Sequence, residues 1–206
     1  MKKNFNIIVE GVADVVFFKQ YIRHLCGEEL PDNRVIILGG LDRLKSEATI
    51  VRMRSMTDNG GVNLVFLDAD KEFFSRCNEI EEWRFANFLE FDYFLLPNNK
   101  DSGALEDLLE NIINPVNRPI LDCWEDYERE LVKLDIPGRT PPPLTTPAKK
   151  TKIYGYLEAL LGENKSQKRL IKEVNRDYTD VMHWDLDVEY LKPLKEFLEK
   201  ELFLDE

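Results

Sequence analysis

Three short, almost wholly apolar runs alternate with two helix-length amphipathic stretches in the first third of the chain. Residues 6–9, 35–38 and 62–67 are rich in Val, Ile, Leu and Phe. Runs this short and this apolar suit strands buried on both faces. Between the first two, residues 12–26 bring Val15, Phe18, Ile22 and Leu25 to one side at helical spacing. A second helix is expected over about residues 42–56, with Leu44, Ala48, Val51 and Met53 as core positions, and Asp58-Asn59-Gly60-Gly61 stops it. A β-α-β-α-β order requires parallel strands joined by crossover helices. The fold class expected is therefore α/β, a parallel sheet flanked by helices.

The pattern continues with a third helix over residues 79–89 and a fourth strand over 93–96, broken by Pro97. Asp101 or Ser102 can cap a following helix whose Leu105, Leu108, Leu109, Ile112 and Ile113 form one apolar stripe. Beyond Pro119 only helical patterns remain, over residues 120–134, 148–161, 167–175 and 188–203. Pro193 either opens the last helix or bends it. Pro137, Pro141, Pro142, Pro143 and Pro147 crowd one segment that must be extended. The expected organisation is an α/β domain at 1–118 and a C-terminal helical extension at 119–206 with a Pro-rich loop at 137–147, packed together as one unit.

Of the 206 residues, 43% are hydrophobic and 33% charged, which excludes a disordered chain. No apolar run approaches the roughly 20 residues that cross a bilayer. Met1-Lys2-Lys3-Asn4-Phe5 leads into a strand without a signal-peptide core, so a cytoplasmic protein with no membrane partner is expected. Cys26, Cys77 and Cys123 lack zinc-type spacing, and the two histidines, His24 and His183, poorly support a His-based centre. Oxygen ligands are abundant and favour Mg2+ or Mn2+.

Net charge is −11, which opposes nonspecific attraction to a polyanion. The segment from Arg139 to Arg176 nevertheless carries nine Lys/Arg against three Glu. It reads either as a basic face for a phosphate-bearing partner or as a solvated helix face formed by Lys165, Lys168, Arg169 and Lys172.

Carboxylates stand at the ends of two of the strands: Glu10 after Ile7-Ile8-Val9, and Asp68-Ala69-Asp70 after Leu64-Val65-Phe66-Leu67. On neighbouring parallel strands they meet at the sheet edge where α/β proteins place their ligand crevice. An Asp-x-Asp there suits a divalent cation that holds a phosphodiester and activates water. Taken alone, it equally suits a turn.

Val9-Glu10-Gly11 with Asp14, Gly39-Gly40 after the second strand, and Asp68-Ala69-Asp70 after the third resemble the TOPRIM domain of topoisomerases, primases and related nucleases. Gly103-Ala104-Leu105-Glu106-Asp107-Leu108-Leu109 is similar to the acidic helix of overcoming-lysogenization-defect (OLD) nucleases and their small stand-alone relatives. Lys150-Thr151-Lys152-Ile153-Tyr154-Gly155-Tyr156-Leu157 and His183-Trp184-Asp185 are similar to the end of those proteins. The resemblance implies a Rossmann-like TOPRIM sheet, Mg2+ or Mn2+ binding, and cleavage or transfer at phosphodiesters, with DNA or RNA as partner. Whether a separate protein partner supplies recognition stays open. It implies Glu10 as metal ligand or general base, Asp14 as a second acidic position beside it, Asp68 and Asp70 as metal ligands, and Glu106 as ligand of a second metal. Lys150 or Lys152 would stabilise charge on the phosphate. Val12-Ala13 stand where a polar pair is common in this motif.

Other readings of the same residues stay open. Glu106 and Asp107 also complement the positive end of their helix. Lys150 and Lys152 also suit exposed first-turn positions, and His183 beside Trp184 suits a packed pair. A module with this fold that binds metal or phosphate ligands without turnover is the alternative function. A haloacid-dehalogenase-like phosphatase also uses Asp-x-Asp, but expects Thr or Val where Glu72 stands. The chain has no Gly-x-x-x-x-Gly-Lys-Ser/Thr, so no ATPase is expected within it.

Overall fold

The computed structural model describes residues 4–39, 43–138 and 144–203. Four strands, β1 (Phe5–Val9), β2 (Val35–Ile37), β3 (Val62–Asp68) and β4 (Asp92–Leu96), form one all-parallel sheet in the order β2-β1-β3-β4. Helix α1 (Val12–Cys26) follows β1, α2 (Glu47–Asp58) follows β2, and α3 (Phe73–Ala86) follows β3. Side chains alternate along each strand. Ile7, Val9, Leu64 and Phe66 therefore face α1, whereas Ile8, Val65 and Leu67 face Met53 of α2 and Ile80 of α3. Because α1 and α3 cover opposite faces, the chain departs in opposite directions from the adjacent strands β1 and β3. Their carboxyl ends flank the topological switch point, where α/β sheets open a crevice.

The remaining helices are α4 (Leu105–Asn111), α5 (Arg118–Leu131), α6 (Lys149–Leu161), α7 (Lys165–Ile171) and α8 (Lys192–Leu202). They join the α1 side of the sheet. Phe197 of α8 packs edge-on against Phe66 at 5.7 Å, and Tyr156 of α6 packs against Trp184 at 5.6 Å. Leu108, Tyr156, Trp184 and Leu198 belong to the same buried cluster as Ile7 and Phe66. Each such side chain contributes roughly 1.5–3 kcal/mol when fully buried. The helical extension thus completes the core of the α/β part.

Several boundaries differ from expectation for local reasons. Helix α2 begins later because Ser46 caps it, its Oγ accepting from Thr49 N at 3.3 Å. Helix α3 begins earlier, at Phe73, with Phe73, Cys77, Ile80 and Trp83 packed inward. Neither Asp101 nor Ser102 caps α4. Ser102 Oγ accepts from Phe73 N at 3.1 Å, and Asp107 reaches back to accept from Ala104 N at 2.9 Å. Pro193 lies in the first turn of α8. Residues 144–147 adopt neither helix nor strand, while 139–143 of the Pro-rich loop lie outside the described residues.

Candidate active site

The pairing of β1 with β3 sets Val9 opposite Phe66. Glu10 therefore leaves β1 beside Asp68, and its Oε1 accepts from Asp68 N at 3.1 Å. Asp14, in the first turn of α1, is buried and accepts from Gly11 N at 2.8 Å. Asp68 Oδ1 accepts from Leu105 N at 3.0 Å, bringing in the start of α4 and with it Glu106.

These carboxylates crowd one another. Burial first, then the charges of Glu10, Asp14 and Glu106, push the Asp68 carboxyl up to about 8. Burial followed by Glu10 and Glu106 raises Asp14 to about 6, against the hydrogen bond from Gly11. Glu10 is also raised, chiefly by burial and further by Asp70, although the Asp68 N–H and Arg76 oppose the shift. Carboxyls whose proton affinity is raised together by burial and by neighbouring charge in a crevice recur at functional sites.

Asp70 behaves differently. Its backbone is left-handed (φ 54), its N–H donates to Gly103 O at 2.8 Å, and its carboxylate is 60% exposed and ion-paired with Arg76. It does not converge on the other acids. Arg76 was not singled out by sequence; its place in the second turn of α3, six residues after Asp70, is the signal that points to it once α3 starts at Phe73.

The two predicted lysines separate. Lys152, 8% exposed, bonds Glu110 at 2.9 Å and lies 3.4 Å from Glu125. Burial disfavours its ammonium, but those two carboxylates outweigh it and leave the pKa raised. Lys150 is 54% exposed, lies 2.6 Å from Glu173 Oε1, and has its pKa raised chiefly by that pairing, with a smaller contribution from Glu106. Of the two, Lys150 shares the field of the acidic cluster. Lys149 pairs with Asp107. Lys165, Lys168, Arg169 and Lys172 are exposed, whereas Arg176 is buried with its guanidinium 4.8 Å from the Tyr154 ring centroid; Arg139 lies outside the described residues. His183 lies against Asp180 at 3.1 Å beside the buried Trp184, far in role from the acids.

A family model spans residues 4–203 of the chain. The chain belongs to the DUF3226 family. That family is described as proteins of unknown function. No match was found among curated proteins or among solved structures. In this DUF3226 chain the hard oxygen donors and their mutual repulsion suit a divalent cation in chemistry. Among the described residues, however, no group of three or more His, Cys, Asp or Glu side chains is arranged to hold one. Glu10, Asp14 and Asp68 each commit an oxygen to a backbone N–H, and Asp70 is turned to Arg76. Among the described residues no helix is long and apolar enough to cross a membrane.

Proposed function

We propose that this protein hydrolyses phosphodiesters in nucleic acid in a metal-dependent manner, through a TOPRIM-like acidic site. The observation that carries this reading is the meeting of Glu10, Asp14, Asp68 and Glu106 near the switch point, where burial and the charges of Glu10 and Glu106 raise the proton affinity of Asp14 and Asp68. Glu10, Asp68 and Glu106, joined by Asp70 only once it leaves Arg76, would be the residues to hold a divalent cation, which when bound would supply an acidified water and a clamp on phosphate oxygens. Glu10, whose Oε1 accepts from Asp68 N, would serve as a ligand of that cation or as the proton acceptor. Asp14 maintains the field around it. Lys150, exchanging from Glu173, offers an ammonium to a non-bridging oxygen.

The test is incubation of pure protein with supercoiled DNA, single-stranded DNA and RNA in Mg2+ or Mn2+. Cleavage is expected, abolished by EDTA and reduced at least about 100-fold in an Asp68→Asn, Asp70→Asn double variant. Cleavage that survives the double variant removes the site assignment. The pairing of Asp70 with Arg76 favours a second reading, a ligand-binding module without turnover. That module would gain thermal stability with Mg2+ yet cut neither DNA nor RNA.

A further inference from the structure

The segment that follows α7 buries a positive charge. Arg176 is 3% exposed, yet it makes no ion pair among the described residues and its Nη2 has no hydrogen-bond partner. Its Nε donates to Ile171 O at 3.2 Å and its guanidinium lies over the ring of Tyr154, one turn beyond Lys150 on α6. Gln20 of α1 clamps the backbone, donating to Arg176 O at 2.7 Å and accepting from Tyr178 N at 2.5 Å. A guanidinium keeps its proton when buried, and a buried cation without a carboxylate is costly.

A carboxylate lies close by. Glu173 opens the turn that Arg176 closes, its carbonyl accepting from Arg176 N at 3.3 Å. Its side chain is 19% exposed, and Lys150 Nζ approaches Oε1 to 2.6 Å from outside hydrogen-bonding direction, so that oxygen is also buried without a hydrogen bond. Arg176 and Glu173 both act on the buried Tyr178 hydroxyl, as does Asp14, while Lys150 feels Glu106; the group therefore borders the acidic crevice. Two cations thus share one carboxylate. When Lys150 leaves, Glu173 stays mostly buried and needs another cation, and Arg176 has an N–H to spare. We infer that Arg176 is the second counter-ion of Glu173, a positioning residue that takes up this carboxylate as Lys150 departs and so sets how readily Lys150 is released toward the crevice. The inference rests on the role given to Lys150 above.

Competitive labelling of amines by acetic anhydride, read by mass spectrometry at Lys150 against the exposed Lys165, reports that release without substrate or metal. Arg176→Gln is expected to slow labelling of Lys150 about two- to fivefold, because Glu173 is then left to Lys150 alone. Glu173→Gln is expected to speed it. In the Glu173→Gln, Arg176→Gln double variant the rate should equal that of Glu173→Gln, since Arg176 acts only through that carboxylate. Loss of packing alone would instead loosen α6 and speed labelling whether or not Glu173 is charged. Labelling of Arg176→Gln at or above the wild-type rate, or slowing that survives in the double variant, overturns the inference. If either Arg176 variant does not fold, a crystal structure of Lys150→Ala decides: a guanidinium nitrogen of Arg176 within about 4 Å of a Glu173 carboxylate oxygen sustains it, and a longer separation overturns it. Labelling as expected, without cleavage of any nucleic acid, would fail the nuclease reading and leave the shared carboxylate standing.

Discussion

Asp68 Oδ1 accepts from Leu105 N at 3.0 Å, so the carboxylate that ends β3 also caps α4. One residue thus serves the packing of the helix and the charge of the crevice, and the two roles are separable by substitution. Asp68→Asn keeps an acceptor oxygen and removes the repulsion, whereas Asp68→Ala removes both. In urea unfolding at about pH 8 without metal, Asn is expected to match or exceed wild type, and Ala to fall about 1 kcal/mol below Asn. Both lose stabilisation by Mg2+. Equal stability of the two variants would show that the cap contributes nothing.

The raised carboxyls make the metal-free protein less stable as pH rises. Asp68 titrates at about 8 and Asp14 at about 6 when folded, well above the roughly 3.9 of an unfolded aspartate. The folded state therefore keeps protons that the unfolded chain has released, and this stabilisation is lost as pH climbs through the folded values. Melting temperature in EDTA is expected to decline between about pH 5 and 8. Saturating Mg2+ should flatten the decline, and Asp68→Asn should remove its upper part. A melting temperature that rises across this range contradicts the assigned repulsion.

Gly103 links the strand-end acids to the acidic helix. Its φ of 146 is unfavourable for other residues, and a Cβ there would lie 2.6 Å from Asp107 Oδ2 and 3.1 Å from Pro97 Cδ. Asp107 Oδ2 is the oxygen that accepts from Ala104 N at 2.9 Å, so the clash falls on the start of α4. Gly103→Ala is expected to cost about 1–3 kcal/mol in chemical unfolding. Because Glu106 moves with that turn, the proposed cleavage should fall even at temperatures where the variant is fully folded.

The β-α-β-α-β order was legible because β1 and β3 carry continuous apolar runs and α1 ends at a clear stop, Gly27, whose N–H donates to Arg23 O at 2.8 Å. The acids at the strand ends were legible for the same reason, since strand limits fix where Glu10 and Asp68 emerge. The start of α3 was not, because exposed Phe74 and Phe85 blur the inward stripe of Phe73, Cys77, Ile80 and Trp83. With that start hidden, the pairing of Arg76 with Asp70 was hidden too. The lysines were ambiguous for a different reason. Whether a helical lysine is buried depends on the partners opposite it, here Glu110 and Glu125, and one chain does not reveal which helices face each other.

Lys150 and Lys152 are separable by experiment, since they occupy the same helix in different surroundings. Lys152 is 8% exposed between Glu110 and Glu125, and its removal leaves Glu110 without that cation at the junction of α4 and α6. Lys152→Ala is expected to lower stability by about 1–3 kcal/mol. Any loss of cleavage should then track unfolding. Lys150 is largely exposed, and its pairing with Glu173 is of the kind worth about 0–1 kcal/mol. Lys150→Ala should leave the melting temperature nearly unchanged and reduce kcat at least tenfold, because its ammonium is the one that shares the field of Glu106. Urea unfolding of both variants, beside single-turnover cleavage in Mn2+, checks the contrast. The reverse pattern would move the proposed phosphate-facing role from Lys150 to Lys152.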